Sequence, residues 1–258
     1  MTAIDPLYSL AGVLVGMIVG LTGVGGGSLM TPLLVLAFGF HPVTAVGTDL
    51  LYAAATKTVG TVVHGWRGTV DWRVVRRLAT GSLPATIVTL IVLQRAGVRQ
   101  ADTGHVVGVL LGATLLLSAI GTLLRGRITA WIAHFRPMGE HRVAALTVGV
   151  GAVLGVLVSL TSVGAGALGM TALLLLYPRL PVNRLVGSDI AHAVPLTLLA
   201  GFGHWMLGSV DVMLLASLLI GSVPGIIAGS LIATRVSDRA LAPVLAVVLA
   251  IVGVRLMV

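Results

Sequence analysis

The chain has 258 residues, of which 57% are hydrophobic and only 9% are charged. Soluble domains carry about 25% charged residues, so this composition excludes an ordinary soluble fold, a disordered chain and a coiled coil. The formal net charge of +8 does not indicate a nucleic-acid partner, because basic residues in a membrane protein first report its orientation. The chain contains no cysteine, which excludes disulfide bonds, thiolate metal sites and a cysteine nucleophile.

Long apolar runs separated by short loops follow one another from end to end. Residues 6–48 and 143–178 contain no Asp, Glu, Lys or Arg, and each is too long for one crossing of about 20 residues. Asp5 is the only charge before the first run, so this run indicates a membrane segment and not a cleaved signal peptide. The other predicted segments are residues 43–63, 74–93, 106–124, 182–206, 212–234 and 241–254.

The two sides of a basic connector, residues 126–142, repeat each other. The shared offset is 140 for most motifs and 139 for the glycine stretches, which indicates an internal duplication. Duplicated halves are a common plan for secondary transporters, with the site at their interface. We therefore predict a first membrane repeat at 1–125, a cytoplasmic linker at 126–142 and a second repeat at 143–258. The matching pairs are Thr22–Gly27 with Thr161–Gly166, Val46–Asp49 with Val186–Asp189, His64–Asp71 with His204–Asp211, and Gly81–Pro84 with Gly221–Pro224.

Glycines divide the first apolar run of each half, and the charge pattern decides between two topologies. If each run crosses once, the halves are parallel, and the two sides of the membrane carry nine and six basic loop residues. If each run is a hairpin, the halves are inverted, and the two sides carry twelve and three. The positive-inside rule favours the larger asymmetry. We predict an all-α polytopic membrane protein of two inverted repeats, each a glycine-broken helical hairpin plus three transmembrane helices, with both termini outside.

The glycine stretches are candidate binding elements. A helix broken inside the bilayer exposes backbone groups that only protein or a watery cavity can satisfy. The free N–H groups at the following helix start favour an anion, which predicts two anion-binding cradles. The alternative is close helix packing by small residues. The predicted cradles are Gly25, Gly26 and Gly27 in the first half and Gly164, Ala165 and Gly166 in the second.

Two hydroxyl–carboxylate pairs follow segment-initiating prolines. Thr48 and Ser188 are candidate substrate-binding residues, and Asp49 and Asp189 are candidates for coupling or for an ion pair. A carboxylate in hydrocarbon costs about 2.5–3.5 kcal/mol on insertion scales, so it usually faces a cavity or a partner. The alternative is that each Asp is an N-terminal helix cap at the interface.

Lys57 and His192 complete the candidate site. Lys57 lies near the centre of segment 43–63 and is the only basic residue deep inside a predicted segment. It is a candidate counter-charge for an anion, and the alternative is a structural ion pair with Asp49 or Asp189. His192 follows Asp189 by three residues, hence on the same helix face, and is either a substrate or proton ligand or a core histidine.

These motifs resemble those of the TauE/SafE family of sulfite and organosulfonate exporters, also called TSUP. The resemblance covers essentially the whole chain and implies secondary export of sulfite, sulfoacetate or related anions across a bacterial inner membrane. Asp49 and Asp189 depart from the family pattern, as does the degraded second glycine stretch. The residues that carry the resemblance are Gly23–Gly27, Pro32, Ala45–Thr48, His64–Gly65, Gly81–Pro84, Gly187–Ser188 and Gly221–Gly225.

The leading hypothesis is therefore a secondary transporter of small sulfur-containing anions. No nucleotide motif is present, so this chain does not itself use ATP. An anion channel remains an alternative, as does an intramembrane enzyme with Ser28 as nucleophile, although its counterpart in the second half is Ala167. We expect no enzymatic activity, no cofactor and no metal; the expected partners are a small anion and the bilayer, and a homo-oligomer stays open.

Overall fold

A computed structural model describes residues 5–22, 27–95, 100–132, 138–232 and 238–257. Within these ranges the chain forms ten helices and no strand, which confirms the prediction of an all-α membrane protein. Five helices are long and apolar enough to cross a membrane, and shorter apolar helices accompany them. The helices are α1 (Pro6–Thr22), α2 (Gly27–Leu36), α3 (Pro42–Trp66), α4 (Trp72–Arg95), α5 (Gln100–Ile132), α6 (Glu140–Thr161), α7 (Ala167–Leu176), α8 (Val182–Met206), α9 (Val212–Ile232) and α10 (Asp238–Met257).

Each half begins with a helix followed by a short second arm. In the second half, α6 ends where Ser162 adopts a left-handed φ of 59°, and Gly164 follows with a φ of 120°. Glycine takes such angles without strain, so the predicted break is confirmed here. The arms α2 and α7 have 10 residues each, about 15 Å at 1.5 Å per residue. Neither can cross a hydrocarbon core of about 30 Å alone.

The outer helices of the two halves are paired across the molecule. Helix α1 packs along α9, and α4 packs along α6. These are equivalent pairs, because α1 matches α6 and α4 matches α9 in the repeat. Gly81 of α4 lies against the Val148 carbonyl, and its counterpart Gly221 of α9 lies against the Ser9 carbonyl, with no room for a Cβ atom at either place. Small residues at both contacts therefore let the backbones approach closely.

Helices α3 and α8 cross at the centre in opposite directions. The N–H of Asp71, just after α3, donates to the Ser188 hydroxyl near the start of α8, at 2.8 Å. The N–H of Asp211, just after α8, donates to the Thr48 hydroxyl near the start of α3, at 3.1 Å. Each helix thus starts beside the end of the other. An inverted repeat requires this antiparallel relation of equivalent helices; the orientation in the membrane stays a prediction.

The predicted linker is partly helical. Helix α5 continues to Ile132 and α6 begins at Glu140, so helix extends into both ends of the segment predicted as a connector. The Glu140 carboxylate accepts from Arg73 at 3.2 Å and from Arg77 at 3.0 Å. These contacts place the start of α4 and the start of α6 at the same end of the molecule.

The topology is testable by cysteine accessibility. With the connector in the cytoplasm, a cysteine at Met138 should react with an impermeant thiol reagent only from the cytoplasmic side, whereas one at Gln94 should react only from outside. Both positions are exposed, and the natural chain has no cysteine to interfere. Right-side-out and inverted vesicles provide the comparison. Labelling of both positions from the same side would contradict the predicted topology.

Candidate functional site

A buried polar cluster lies at the crossing of α3 and α8. Asp49 and Lys57 come from α3, and Asp189 and His192 come from α8; their exposed fractions are 0%, 8%, 4% and 0%. Both carboxylates act electrostatically on Lys57, and Lys57 acts on His192. The structure thus brings together four residues that the sequence marked separately. Helix α3 begins at Pro42 and α8 at Val182, so neither Asp is the N-terminal cap of its helix.

Asp49 is held by the short helix of its own half. The Thr31 hydroxyl of α2 donates to its Oδ2 at 2.5 Å. Its Oδ1 is buried and has no hydrogen-bond partner within the described part of the chain. The Ser162 hydroxyl, from the break between α6 and α7, lies close enough to act on this carboxyl. It is nevertheless outside hydrogen-bonding geometry, and its Oγ also lacks a partner among the described residues.

Asp189 is approached by the short helix of the second half. A Cβ atom at Gly169, in the first turn of α7, would collide with the Asp189 Oδ1. The glycine therefore lets the N-terminal end of α7 come close to the carboxylate. A helix N-terminus carries partial positive charge and stabilises a nearby anion. In this half, the place that the sequence predicted for a substrate anion lies beside a carboxylate of the protein itself.

His192 is anchored through one ring nitrogen. Its Nε2 lies 2.8 Å from the Ser82 hydroxyl of α4, while its Nδ1 has no hydrogen-bond partner among the described residues. One turn further along α4, Thr86 Oγ1 lies 3.2 Å from the Ser159 hydroxyl of α6, which donates to the Gly155 carbonyl at 2.6 Å. Sequence analysis missed the contribution of Ser82, although its place in the repeated Gly-Ser-Leu/Val-Pro motif could have indicated one.

The hydroxyls of Thr48 and Ser188 are engaged in holding loops. Ser188 donates its only hydroxyl proton to the Arg184 carbonyl at 2.7 Å while accepting from Asp71. Thr48 accepts from Asp211. An anion needs hydrogen-bond donors, and Ser188 can offer none without breaking its present bond. Their predicted role in substrate binding stays a prediction, and the observed contacts are structural.

The glycine stretches are described in part. Gly25 and Gly26 lie outside the described residues, and Gly27 is the first residue of α2. In the second half, Gly164 and Ala165 form the turn before Gly166, which precedes α7, and no side chain caps this helix. The predicted break is therefore present in the second half, and anion binding at either stretch stays a prediction.

Lys57 forms no ion pair with a carboxylate in the described part of the chain. Among the described residues, ion pairs lie at the helix ends, on Glu140 and Asp71, and none joins Lys57 to a carboxylate. Lys57 is also the only Lys or Arg that is buried in the described ranges. The ammonium is thus the one Lys or Arg group that the described interior offers to a ligand.

A broken helix beside a buried charge cluster, within a duplicated chain, is typical of membrane transporters. The chain belongs to the sulfite exporter TauE/SafE family, whose model matches residues 8–256. A probable membrane transporter protein of Bacillus subtilis, YjnA, is 39% identical over 232 residues, covering 88% of this chain and 89% of the relative. The protein is therefore a membrane transporter of the TauE/SafE type.

More distant relatives carry the same description. A probable membrane transporter protein of Xylella fastidiosa is 29% identical over 232 residues, covering 87% of this chain and 83% of the relative. YdhB of Bacillus subtilis, another probable membrane transporter protein, is 28% identical over 219 residues, covering 84% and 85%. No solved structure matches the chain significantly.

Removing the Ser188 hydroxyl separates a structural role from a ligand role. Ser188→Ala leaves the Asp71 N–H without its acceptor, so it should lower the free energy of unfolding by about 1–3 kcal/mol. Thr80→Ala removes an exposed hydroxyl that bonds only its own helix and should change stability little. Thermal unfolding and sulfite titration in detergent measure both effects. A Ser188→Ala protein of normal stability that has lost sulfite affinity would contradict the structural role.

Proposed function

We propose that this protein is a secondary transporter that exports small sulfur-containing anions, such as sulfite or sulfoacetate-like organosulfonates, across the bacterial inner membrane. The site lies at the interface of the two repeats, and Lys57 is its central binding group. The observation that carries the proposal is the buried Lys57 ammonium, which forms no ion pair among the described residues.

The half-helix ends alone cannot supply the charge that a dehydrated anion needs. Each helix start offers about half an elementary charge, and Asp189 already lies against the first turn of α7. An incoming anion therefore needs a full positive charge, which Lys57 provides. His192 lies close enough to Lys57 to feel its charge and can donate from its Nδ1 in the appropriate tautomer.

Family membership supports the substrate class, because the matched family is described as a sulfite exporter. The duplicated architecture supports a carrier, since alternating access in such proteins moves one repeat against the other around a fixed site. A channel would need a continuous pore instead. Counterflow separates the two: a carrier preloaded with sulfite in proteoliposomes accumulates labelled sulfite transiently above the outside concentration, and a channel does not.

Neutralising Lys57 should weaken anion binding. We expect Lys57→Met to raise the Kd for sulfite at least about tenfold, or about 1.4 kcal/mol, and to weaken a dianion more than a monoanion. Lys57→Arg should recover little, because a planar guanidinium differs in shape and donor geometry from an ammonium. Isothermal titration in detergent measures these affinities. Arg95→Met, which removes an exposed charge at the end of α4, is the matched control and should bind normally.

A purely structural role for Lys57 has a different outcome. If Lys57 serves only to balance Asp49 or Asp189, Lys57→Met should lower the melting temperature, and a second change of that Asp to Asn should restore it. Anion affinity would then be normal in every variant that folds. Normal affinity in a destabilised Lys57→Met protein would remove Lys57 from the proposed site.

A further inference from the structure

Two buried oxygen atoms, on Asp49 and Ser162, lack hydrogen-bond partners among the described residues. Asp49 Oδ1 and Ser162 Oγ are both buried, with residue exposures of 0% and 5%, and neither has a hydrogen-bond partner among the described residues. The Ser162 hydroxyl nonetheless lies close enough to the Asp49 carboxyl for a weak hydrogen bond of poor geometry. A buried oxygen without a partner costs about 1–3 kcal/mol, and more when charged. The arrangement indicates a ligand that binds both oxygens at once.

The charge balance indicates a cation. The buried Asp, Glu, Lys and Arg side chains of the described part of the chain are two acidic groups, Asp49 and Asp189, and one basic group, Lys57, so the cluster holds one more acidic than basic group. Asp49 Oδ1 is an acidic oxygen that no described residue hydrogen-bonds. Ser162 also follows directly on the last residue of α6, and a helix C-terminus carries partial negative charge that favours a cation.

The oxygen donors suit a monovalent metal ion. They are the Asp49 carboxylate, the Ser162 hydroxyl and the Thr31 hydroxyl. Thr31 donates its proton to Asp49 Oδ2, so the lone pairs of its oxygen are free to bind a cation. Calcium and magnesium favour sites with more carboxylate charge or several retained waters. Main-chain carbonyls at broken helices and half-helix ends hold sodium in other transporters.

The second half lacks this set of donors. At the offset of the glycine stretches, the counterpart of Thr31 is Met170 and the counterpart of Ser162 is Gly23. Asp189 therefore has neither hydroxyl at the equivalent positions. The duplication thus provides two carboxylates but only one cation-binding set.

We propose that Asp49, Ser162 and Thr31 form a binding site for one sodium ion, at the contact between α2, α3 and the break that follows α6. Sodium neutralises the excess charge of the cluster and releases Lys57 from its attraction to Asp49. Together with the proposed anion function, on which this consequence rests, sodium and the anion tighten each other's binding by the same factor.

Sodium binding is measured on the full chain in detergent, without any sulfur anion. The probe is sodium chloride, with potassium chloride and choline chloride at equal concentration as controls. An ion that binds only the folded state raises the melting temperature by mass action. We expect a saturable, sodium-specific rise, lost in Asp49→Asn and shifted to at least about tenfold higher sodium concentration in Ser162→Ala. Ser118→Ala removes another buried hydroxyl without a described partner and should respond as the unaltered protein does.

Three results would overturn the sodium site. They are an equal rise with choline, an unaltered sodium response in Asp49→Asn, or no sodium effect on the natural chain. If Asp49→Asn does not fold, Ser162→Ala and Thr31→Val keep the carboxylate and decide alone: a sodium response unchanged in both overturns the site. A sodium response that persists while sulfite fails to bind supports the site and removes the anion function, so the two failures are distinguishable.

Discussion

Burial of two carboxylates and one ammonium where α3 and α8 cross is the constraint on which the rest of the architecture depends. Isolated charges in hydrocarbon cost several kcal/mol each, so the chain must bring compensating groups to them. It does so with the two short helices: α2 carries the Thr31 hydroxyl to Asp49, and α7 brings its first turn to Asp189 at Gly169. The broken helices and the buried charges are therefore one feature of the molecule.

The frame around this cluster is shared by the two repeats. Because α1 packs on α9 and α4 on α6, each half supplies the packing partners of the other, and the repeats of the sequence do not pack as separate bodies. Backbone contacts at Gly81 and Gly221 leave no space for a side chain. The loop hydrogen bonds at Thr48 and Ser188 join the same two central helices at their opposite ends.

Periodicity and duplication predicted much of this structure, because apolar length, glycine breaks and basic loops are local properties of the chain. Lys57, Asp49 and Asp189 were recognisable because a charge inside an apolar segment stands out without any partner being known. Thr31, Ser82 and Ser162 could not be recognised from the sequence, because hydroxyl side chains are common in membrane helices. Their role becomes visible only when the structure shows the carboxyl or imidazole group beside them. The engagement of Ser188 likewise depends on Asp71, which is remote in sequence.

The central claim is that the anion binds inside this cluster, against Lys57. Anomalous diffraction from crystals grown with selenite, a heavier analogue of sulfite, locates the anion without relying on any substitution. The account predicts a selenium peak within direct contact of the Lys57 ammonium, between α3 and α8. A well-occupied peak elsewhere in the protein, with none beside Lys57, would contradict it.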